Sequence, residues 1–274
     1  MSFTLAHAGL LVLLGIGVGA FGTVVGAGGG FILTPILLLL YPHDSPQTLT
    51  AISLMVVFFN AASGTVAYAR QRRTDFRSGI VFAAATIPGA IGGALLVAHV
   101  SRTIFDPLMG AVLAVLAAWL IFGGRRPPHA HLTGRIVERE IVDARGVHYR
   151  YRVPLVRGAL YSLAVGFFSS FLGIGGGVIH VPLLVRALDF PTHIATATSH
   201  FVLAIMAGTG TITHLVTGSF QHGHGLRRAA ALSIGVVGGA QLGARVSVRL
   251  SGRTIQWLLA LALAGLAVRL LVTA

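Results

Sequence analysis

Gly26-Ala27-Gly28-Gly29-Gly30-Phe31-Ile32-Leu33-Thr34-Pro35 interrupts a stretch, residues 5–41, that holds no Asp, Glu, Lys or Arg. As one helix, at 1.5 Å per residue, that stretch would be roughly 55 Å long, too long for a bilayer core of about 30 Å. Glycine clusters break helices, and a proline removes a ladder hydrogen bond. The spacing therefore predicts a hairpin within the membrane: one helix in, a glycine turn, and a shorter helix back out. Gly28–Gly30 then opens the returning helix. Residues 158–185 have the same construction, with Gly173-Ile174-Gly175-Gly176-Gly177 and then Pro182.

These two stretches are copies. At a shift of 147, Val18-Gly19, Phe21, Gly26, Gly28-Gly29-Gly30, Ile32, Pro35 and Leu37 recur as Val165-Gly166, Phe168, Gly173, Gly175-Gly176-Gly177, Ile179, Pro182 and Leu184, ten identities in twenty positions. The register drifts by only a few residues afterwards. Thr50-Ala51-Ile52-Ser53 meets Thr196-Ala197-Thr198-Ser199, and Gly89-Ala90 and Gly93 meet Gly239-Ala240 and Gly243. Chance matches of Gly or Leu do not keep this order, so the chain is an internal repeat. Broken helices at matching positions of two repeats point to the binding site of a secondary transporter.

The composition agrees. In 274 residues, 55% are hydrophobic and 10% charged, against about 25% charged in a soluble domain. Further uncharged runs at 49–69, 78–100, 107–124, 190–226, 229–244 and 254–268 each provide one crossing. The expectation is an all-α polytopic membrane protein. It has two inverted repeats, each a glycine-broken hairpin plus three transmembrane helices, in segments 1–124 and 158–274, joined by a linker over 125–157. Residues 1–25 lack a basic start and read as a retained membrane segment. The chain has no cysteine, and all 20 basic residues are arginine, which excludes thiolate chemistry, Cys-type metal sites and lysine-based catalysis. The seven acids, Asp44, Asp75, Asp106, Glu138, Glu140, Asp143 and Asp189, all lie near run ends or in the linker, so no carboxylate relay crosses the bilayer.

Orientation follows from the arginines. If each half inserts an odd number of crossings, sixteen arginines fall on the linker side and four (Arg102, Arg227, Arg228, Arg269) on the other. The linker is then cytoplasmic and both termini face out. A rival arrangement, with each glycine stretch as a single crossing and parallel repeats, splits them 15 to 5; the length of the glycine stretches favours the hairpins. The net charge of +13 reflects these loops rather than nucleic-acid binding. In the linker, Arg135–Val142 and Val147–Val153 alternate imperfectly around Asp143-Ala144-Arg145-Gly146, which reads as a small cytoplasmic β-hairpin.

Two glycine breaks that each open a helix leave backbone N–H groups unpaired, and in lipid those groups need a partner. An anion is a natural one, because helix N-termini favour negative charge. Gly28, Gly29, Gly30, Gly175, Gly176 and Gly177 are thus candidates for a shared anion site near the midplane. Ser53 and Ser199, repeat-related, could add hydroxyl donors, or could bond back to their own helices. His200, beside Ser199, is a candidate for substrate contact or proton coupling, with His180 and His214 behind it. Asn60 has no polar counterpart in the second half. Arg245 reads as an interfacial side chain. The remaining glycines, among them Gly19, Gly89, Gly92, Gly93, Gly238, Gly239 and Gly243, read as close-packing positions. Leucine at Gly29 or Gly176 is expected to abolish binding, with alanine milder. The pairs His129/His131 and His222/His224 lack carboxylate or thiol support, and no metal or other cofactor is expected.

The doubled Gly-x-Gly-Gly-Gly followed five residues later by proline, each copy leading to a helix with Ala51-Ile52-Ser53 or Ala197-Thr198-Ser199, resembles the TauE/SafE sulfite exporter family, also called the 4-toluene sulfonate uptake permeases. The resemblance covers nearly the whole chain. It implies a multi-pass transporter of the bacterial cytoplasmic membrane that carries sulfite, organosulfonates or related small sulfur anions. Its partners would be the substrate anion, the lipid bilayer and, in a homodimer, a second copy. A passive anion channel on the same amides is the alternative. An enzyme is not expected, since no haem ligands, carboxylate pair or activated nucleophile is present.

Overall fold

Thr4 starts the first helix, its hydroxyl accepting the His7 amide, and Gly26 ends it in the left-handed conformation, φ +80°. The computed structural model describes residues 4–122, 136–220 and 224–273. In chain order these form α1 (Leu5–Val25), α2 (Gly30–Leu40), α3 (Pro46–Arg70), α4 (Phe76–Leu96), α5 (Arg102–Phe122), β1 (Ile136–Val142), β2 (His148–Pro154), α6 (Leu155–Leu172), α7 (Gly177–Ala187), α8 (Thr192–Val216), α9 (Gly225–Ser247) and α10 (Gly252–Thr273). A short 3-10 turn, Val97–His99, follows α4. Among the described residues seven helices are long and apolar enough to cross a membrane. The eleven-residue α2 and α7 reach only about half-way, at roughly 16 Å each.

Glycine makes both breaks. Gly26, Gly28 and Gly29, and Gly173, Gly175 and Gly176, all take positive φ, a region costly to any residue with a Cβ. The prolines do not break anything: Pro35, Pro88, Pro107 and Pro182 all lie inside helices. The run expected from Pro107 begins earlier, at Arg102, because Arg102 and Asp106 pair one turn apart at 3.1 Å and let the helix start with charged residues.

Two ends of the bundle are distinguishable. At one, Arg102 donates to the carbonyls of Leu38, Tyr41 and Asp44, closing the C-terminus of α2. There too Arg228 pairs with Asp44 at 2.5 Å and lies over the Tyr41 ring at 3.8 Å, and Gln47 donates to Ser219. His7, in the first turn of α1, reaches Tyr41. At the opposite end Arg186 donates to the carbonyls of Trp119 and Leu120, and Gln256 reaches Thr192. The β-hairpin sits at this second end, tied to Gln71, Arg73 and Asp75.

The hairpin has the expected place and turn, with β1 and β2 antiparallel and Glu138 opposite Arg152, Glu140 opposite Arg150. Gly146 turns it at φ +79°. Its outer face carries those charge pairs; its inner face puts Tyr151 and Val153 into an apolar cluster with Phe82, Leu184, Leu188, Phe190 and Ile194. The first residues of the linker, within 123–135, lie outside the described residues.

Small residues set the helix crossings. α1 packs on α9 and α4 on α6 so closely that a Cβ at Gly19, Gly89, Gly93, Gly166, Gly239 or Gly243 would come within 3.0 Å of the facing backbone. Without a hydrophobic drive between helices in lipid, such close approach is what holds them. Gly238 meets nothing within 4 Å and Gly92 only the Phe167 ring, so the packing role expected for these two is not realised. Gly238 faces away from the crossing.

Candidate functional site

The two glycine breaks meet in the middle of the molecule. Thr34 and Ser53 both donate to the Gly173 carbonyl, at 2.8 and 2.6 Å. A Cβ on Gly30 would lie 2.8 Å from that same oxygen, and one on Gly177 would lie 2.5 Å from Ala27 Cα and press on the Gly26 carbonyl. The surroundings are matched. Gly26 packs on Thr196 and Gly173 on Thr50; Gly28 and Gly175 both pack on Val57, Gly28 also on Leu203. Thr50 and Thr196 are the residues that the sequence repeat aligns.

Helix geometry explains the free donors. The Ala27 and Gly28 amides bond back to Gly22, and the Ile174 amide to Ser169. Ile32 and Leu33 bond to Gly29, and Ile179 and His180 to Gly176. The amides of Gly29, Gly30 and Phe31, and those of Gly175, Gly176 and Val178, find no acceptor among the described residues. They lie in the caps and first turns of α2 and α7, with Gly175 one residue before the α7 cap, where an α-helix leaves its N–H groups unpaired. Six unpaired donors thus lie at two breaks that approach one another through the Gly173 and Gly26 carbonyls. Val57, Leu203 and Met206 fill the space beside them in this conformation.

The other candidates fall into two groups. Ser53 bonds neither to its own helix nor to open space, but across to the opposite break. Ser199 is fully buried and its hydroxyl has no partner among the described residues. Asn60 and His200 belong to a second cluster, one turn from the first break. Thr23 donates to Asn60 Oδ1 at 3.2 Å, and His200 Nε2 is 3.4 Å from the Thr23 hydroxyl. His200 Nδ1 faces the Thr196 carbonyl at 3.2 Å, and Tyr68 donates to the Thr23 carbonyl at 2.6 Å. Asn60 Nδ2 is buried without a partner. A buried amide donor left unsatisfied is costly and marks a place where a ligand or water is accepted.

His180 and His214 stand apart from both groups. His180 faces the Ser162 hydroxyl at 3.3 Å, and His214 faces Ser219 at 2.9 Å near the Asp44 end. Arg245 is exposed near the hairpin end of α9, as its interfacial reading requires. No group of three His, Asp or Glu within metal reach occurs among the described residues; His129, His131 and His222 lie outside them.

Thr23, Thr34 and Tyr68 contact the breaks or the candidate residues and were missed by the sequence reading. Thr23 was findable, since the 147-residue shift sets it against Ser170, a matched hydroxyl three residues before each break. Thr34 was not, because its partner position holds Val181. Tyr68 has no feature in the sequence that marks it, and only the fold brings it to Thr23.

A family model described as sulfite exporter TauE/SafE matches residues 11–270. The chain is 29% identical over 252 residues to the probable membrane transporter protein YunE of Bacillus subtilis, covering 90% of each chain. It is 24% identical over 260 residues to a probable membrane transporter protein of Methanocaldococcus jannaschii, covering 91% of this chain and 90% of that one. A probable membrane transporter protein of Haemophilus influenzae is 23% identical over 235 residues, 85% of this chain and 81% of the relative. No solved structure matches.

Proposed function

From the premise that the chain belongs to the TauE/SafE sulfite exporter family, and is therefore a multi-pass membrane transporter, we propose that it exports a small sulfur oxyanion across the bacterial cytoplasmic membrane. Sulfite or an organosulfonate is the expected cargo. The anion would sit at the paired glycine breaks, held by the free amides of Gly29, Gly30 and Phe31 and of Gly175, Gly176 and Val178, and by Ser199, with Ser53 exchanging its bond to Gly173 for one to the anion; the Gly28 and Gly177 amides are already bonded, to Gly22 and Gly175. Asn60 and His200 flank this site on one side. The observation that carries the reading is that the two breaks meet and that each leaves amides unpaired, with no carboxylate among the residues named there.

The halves 1–124 and 158–274 would be inverted repeats, joined by the 125–157 linker. Support comes from matched contacts: α1 on α9 repeats as α6 on α4, and Thr50 on Gly173 repeats as Thr196 on Gly26. The hairpin end, with most of the arginines, would face the cytoplasm. Binding and release of a small anion by backbone donors needs neither a cofactor nor a catalytic residue.

Each helix N-terminus contributes about 0.3–2 kcal/mol towards a negative charge, and each hydroxyl bond about 0.5–1.5 kcal/mol. These must offset the anion's lost hydration, so micromolar to millimolar affinity is expected. Purified protein titrated with sulfite, thiosulfate and sulfoacetate, against chloride and acetate, tests the reading by thermal shift. Selective stabilisation by a sulfur anion, lost in Gly29→Leu and Gly176→Leu, is the expected result. Equal response to chloride, or ohmic current in place of saturable flux, would favour a passive channel.

A further inference from the structure

The β-hairpin is bound to the helices far more tightly than a solvated linker needs. Arg73 donates to Asp143 Oδ2 at 3.2 and 3.0 Å, with side chains only 5% and 1% exposed. Asp143 Oδ1 in turn accepts the Arg145 and Val147 amides. Tyr151 donates to Asp75 at 2.9 Å, and Arg139 donates to Ser78 at 3.2 Å while lying 3.6 Å from Asp75. The Ala144 amide reaches the Gln71 carbonyl, and Arg145 reaches the Val248 carbonyl. The hairpin therefore ties the α3–α4 loop of the first half to the end of α9 in the second. Its Tyr151 ring also lies 4.8 Å from Phe190, in the loop between α7 and α8.

The opposite end is closed differently. There Asp44, two residues before Pro46, pairs with Arg228 of α9 across the two halves. The repeat gives this pair a counterpart at the hairpin end. Asp189 stands two residues before Pro191, and in the register that aligns Gly89 with Gly239 the position of Arg228 is held by Ser78. The second end thus lacks the arginine of the first. Arg139 of the hairpin lies on Ser78, and it lines one cavity of about 690 Å³ together with Asp189. The linker brings a cation to the position where the repeat has none.

We infer that the hairpin is the latch of the cytoplasmic mouth, with Arg139 and Asp143 as the positioning residues that hold that end shut while the Asp44–Arg228 pair holds the other. This rests on the transport reading above: a carrier that exposes its site alternately must open one end at a time. Opening the cytoplasmic end then requires the Arg139–Asp75 and Arg73–Asp143 contacts to separate.

The cysteine-free chain suits a test by accessibility. Ala197→Cys, fully buried in α8 beside Tyr68 and Ala244, reports the hairpin end; its repeat partner Ala51→Cys reports the other. Inside-out and right-side-out vesicles are treated with a membrane-impermeant methanethiosulfonate. Adding Arg139→Gln or Asp143→Asn should raise labelling at Ala197→Cys about tenfold, the factor that loss of one charge-assisted hydrogen bond gives. Labelling at Ala51→Cys should not rise, and Arg139→Lys should restore the slow rate. Unchanged labelling at Ala197→Cys in both variants overturns the proposal. If both reporters rise together, the decisive variant is Gln71→Cys with Ala144→Cys. Oxidation of that pair must slow labelling at Ala197→Cys relative to the reduced form, and an equal rate overturns the latch. Sulfite flux, measured on the same vesicles, reads the transport proposal separately. A parent that fails to carry sulfite but shows the labelling pattern loses its substrate assignment and keeps its latch.

Discussion

Gly177→Ala separates the two meanings that a glycine at the break can have. Gly177 is helical, so alanine there meets no backbone penalty and would by itself gain about 0.5–1 kcal/mol over glycine. The added methyl, however, would lie 2.5 Å from Ala27 Cα. Ordinary contact begins at 3.4 Å, so the two breaks must part by about 0.9 Å in a close-packed interior, at a cost of about 1–3 kcal/mol. Alanine is therefore not a mild substitution at Gly177, because the neighbour is backbone and cannot swing aside. Gly238→Ala in α9 is the control, since its methyl meets nothing within 4 Å. The helix gain is common to both, so the two variants should differ by about 1–3 kcal/mol, or roughly 2–12 °C in melting temperature at 2–4 °C per kcal/mol. The assay is thermal unfolding in detergent, with and without sulfite. Gly177→Ala should melt lower and lose its sulfite-dependent stabilisation. If both variants melt together and Gly177→Ala still responds to sulfite, the convergence of the breaks is not what forms the site.

Fusing a reporter after Ala274 should place it outside the cytoplasm; cytoplasmic activity would reject the inverted arrangement. His200→Gln should flatten the pH profile of transport across about pH 5.5–8 if the histidine carries the coupled proton, and an unchanged profile leaves the proton on the anion. Burial alone would raise the Asp143 carboxyl, but the Val147 and Arg145 amides and the Arg73 guanidinium outweigh it and hold it below the usual aspartate range. A lowered pKa means the stabilisation is present at neutral pH and is lost as pH falls through the folded value. Amide protection in the hairpin, corrected for the intrinsic exchange rate, should thus fall below about pH 4, and Asp143→Asn should show the lower protection already at pH 7.

The glycine breaks were legible because helix length, bilayer thickness and duplication gave the same answer independently. The small hairpin was legible from its alternation and its Gly146 turn. Helix starts were less so: reading only uncharged runs cut α5 at Pro107, five residues late, since a paired Arg102 and Asp106 can open a helix that their charges appear to exclude. At the candidate site, the glycines could be found by pattern, but the hydroxyls could not be assigned. Ser53 and Ser199 are matched in sequence, yet one bonds to Gly173 and the other has no partner among the described residues. Nor does local sequence reveal that Arg139, in a polar linker, reaches the N-terminus of α4 in the first half.

The glycine-lined crossings bear on how such a chain could arise. On the inverted arrangement, α1 against α9 and α4 against α6 are one interface made twice. A half-length ancestor would carry both surfaces on itself, and two copies inserted in opposite orientations would be self-complementary, as an isologous dimer must be. Such a precursor needs loops with little charge bias, so that both orientations form. Fusion removes that need, and it also frees the two copies to diverge: His200 against Leu54, Asn60 against Met206, and a linker that now folds. Residues 1–124 and 158–274 expressed as separate chains should each be unstable alone and recover a common fold when produced together.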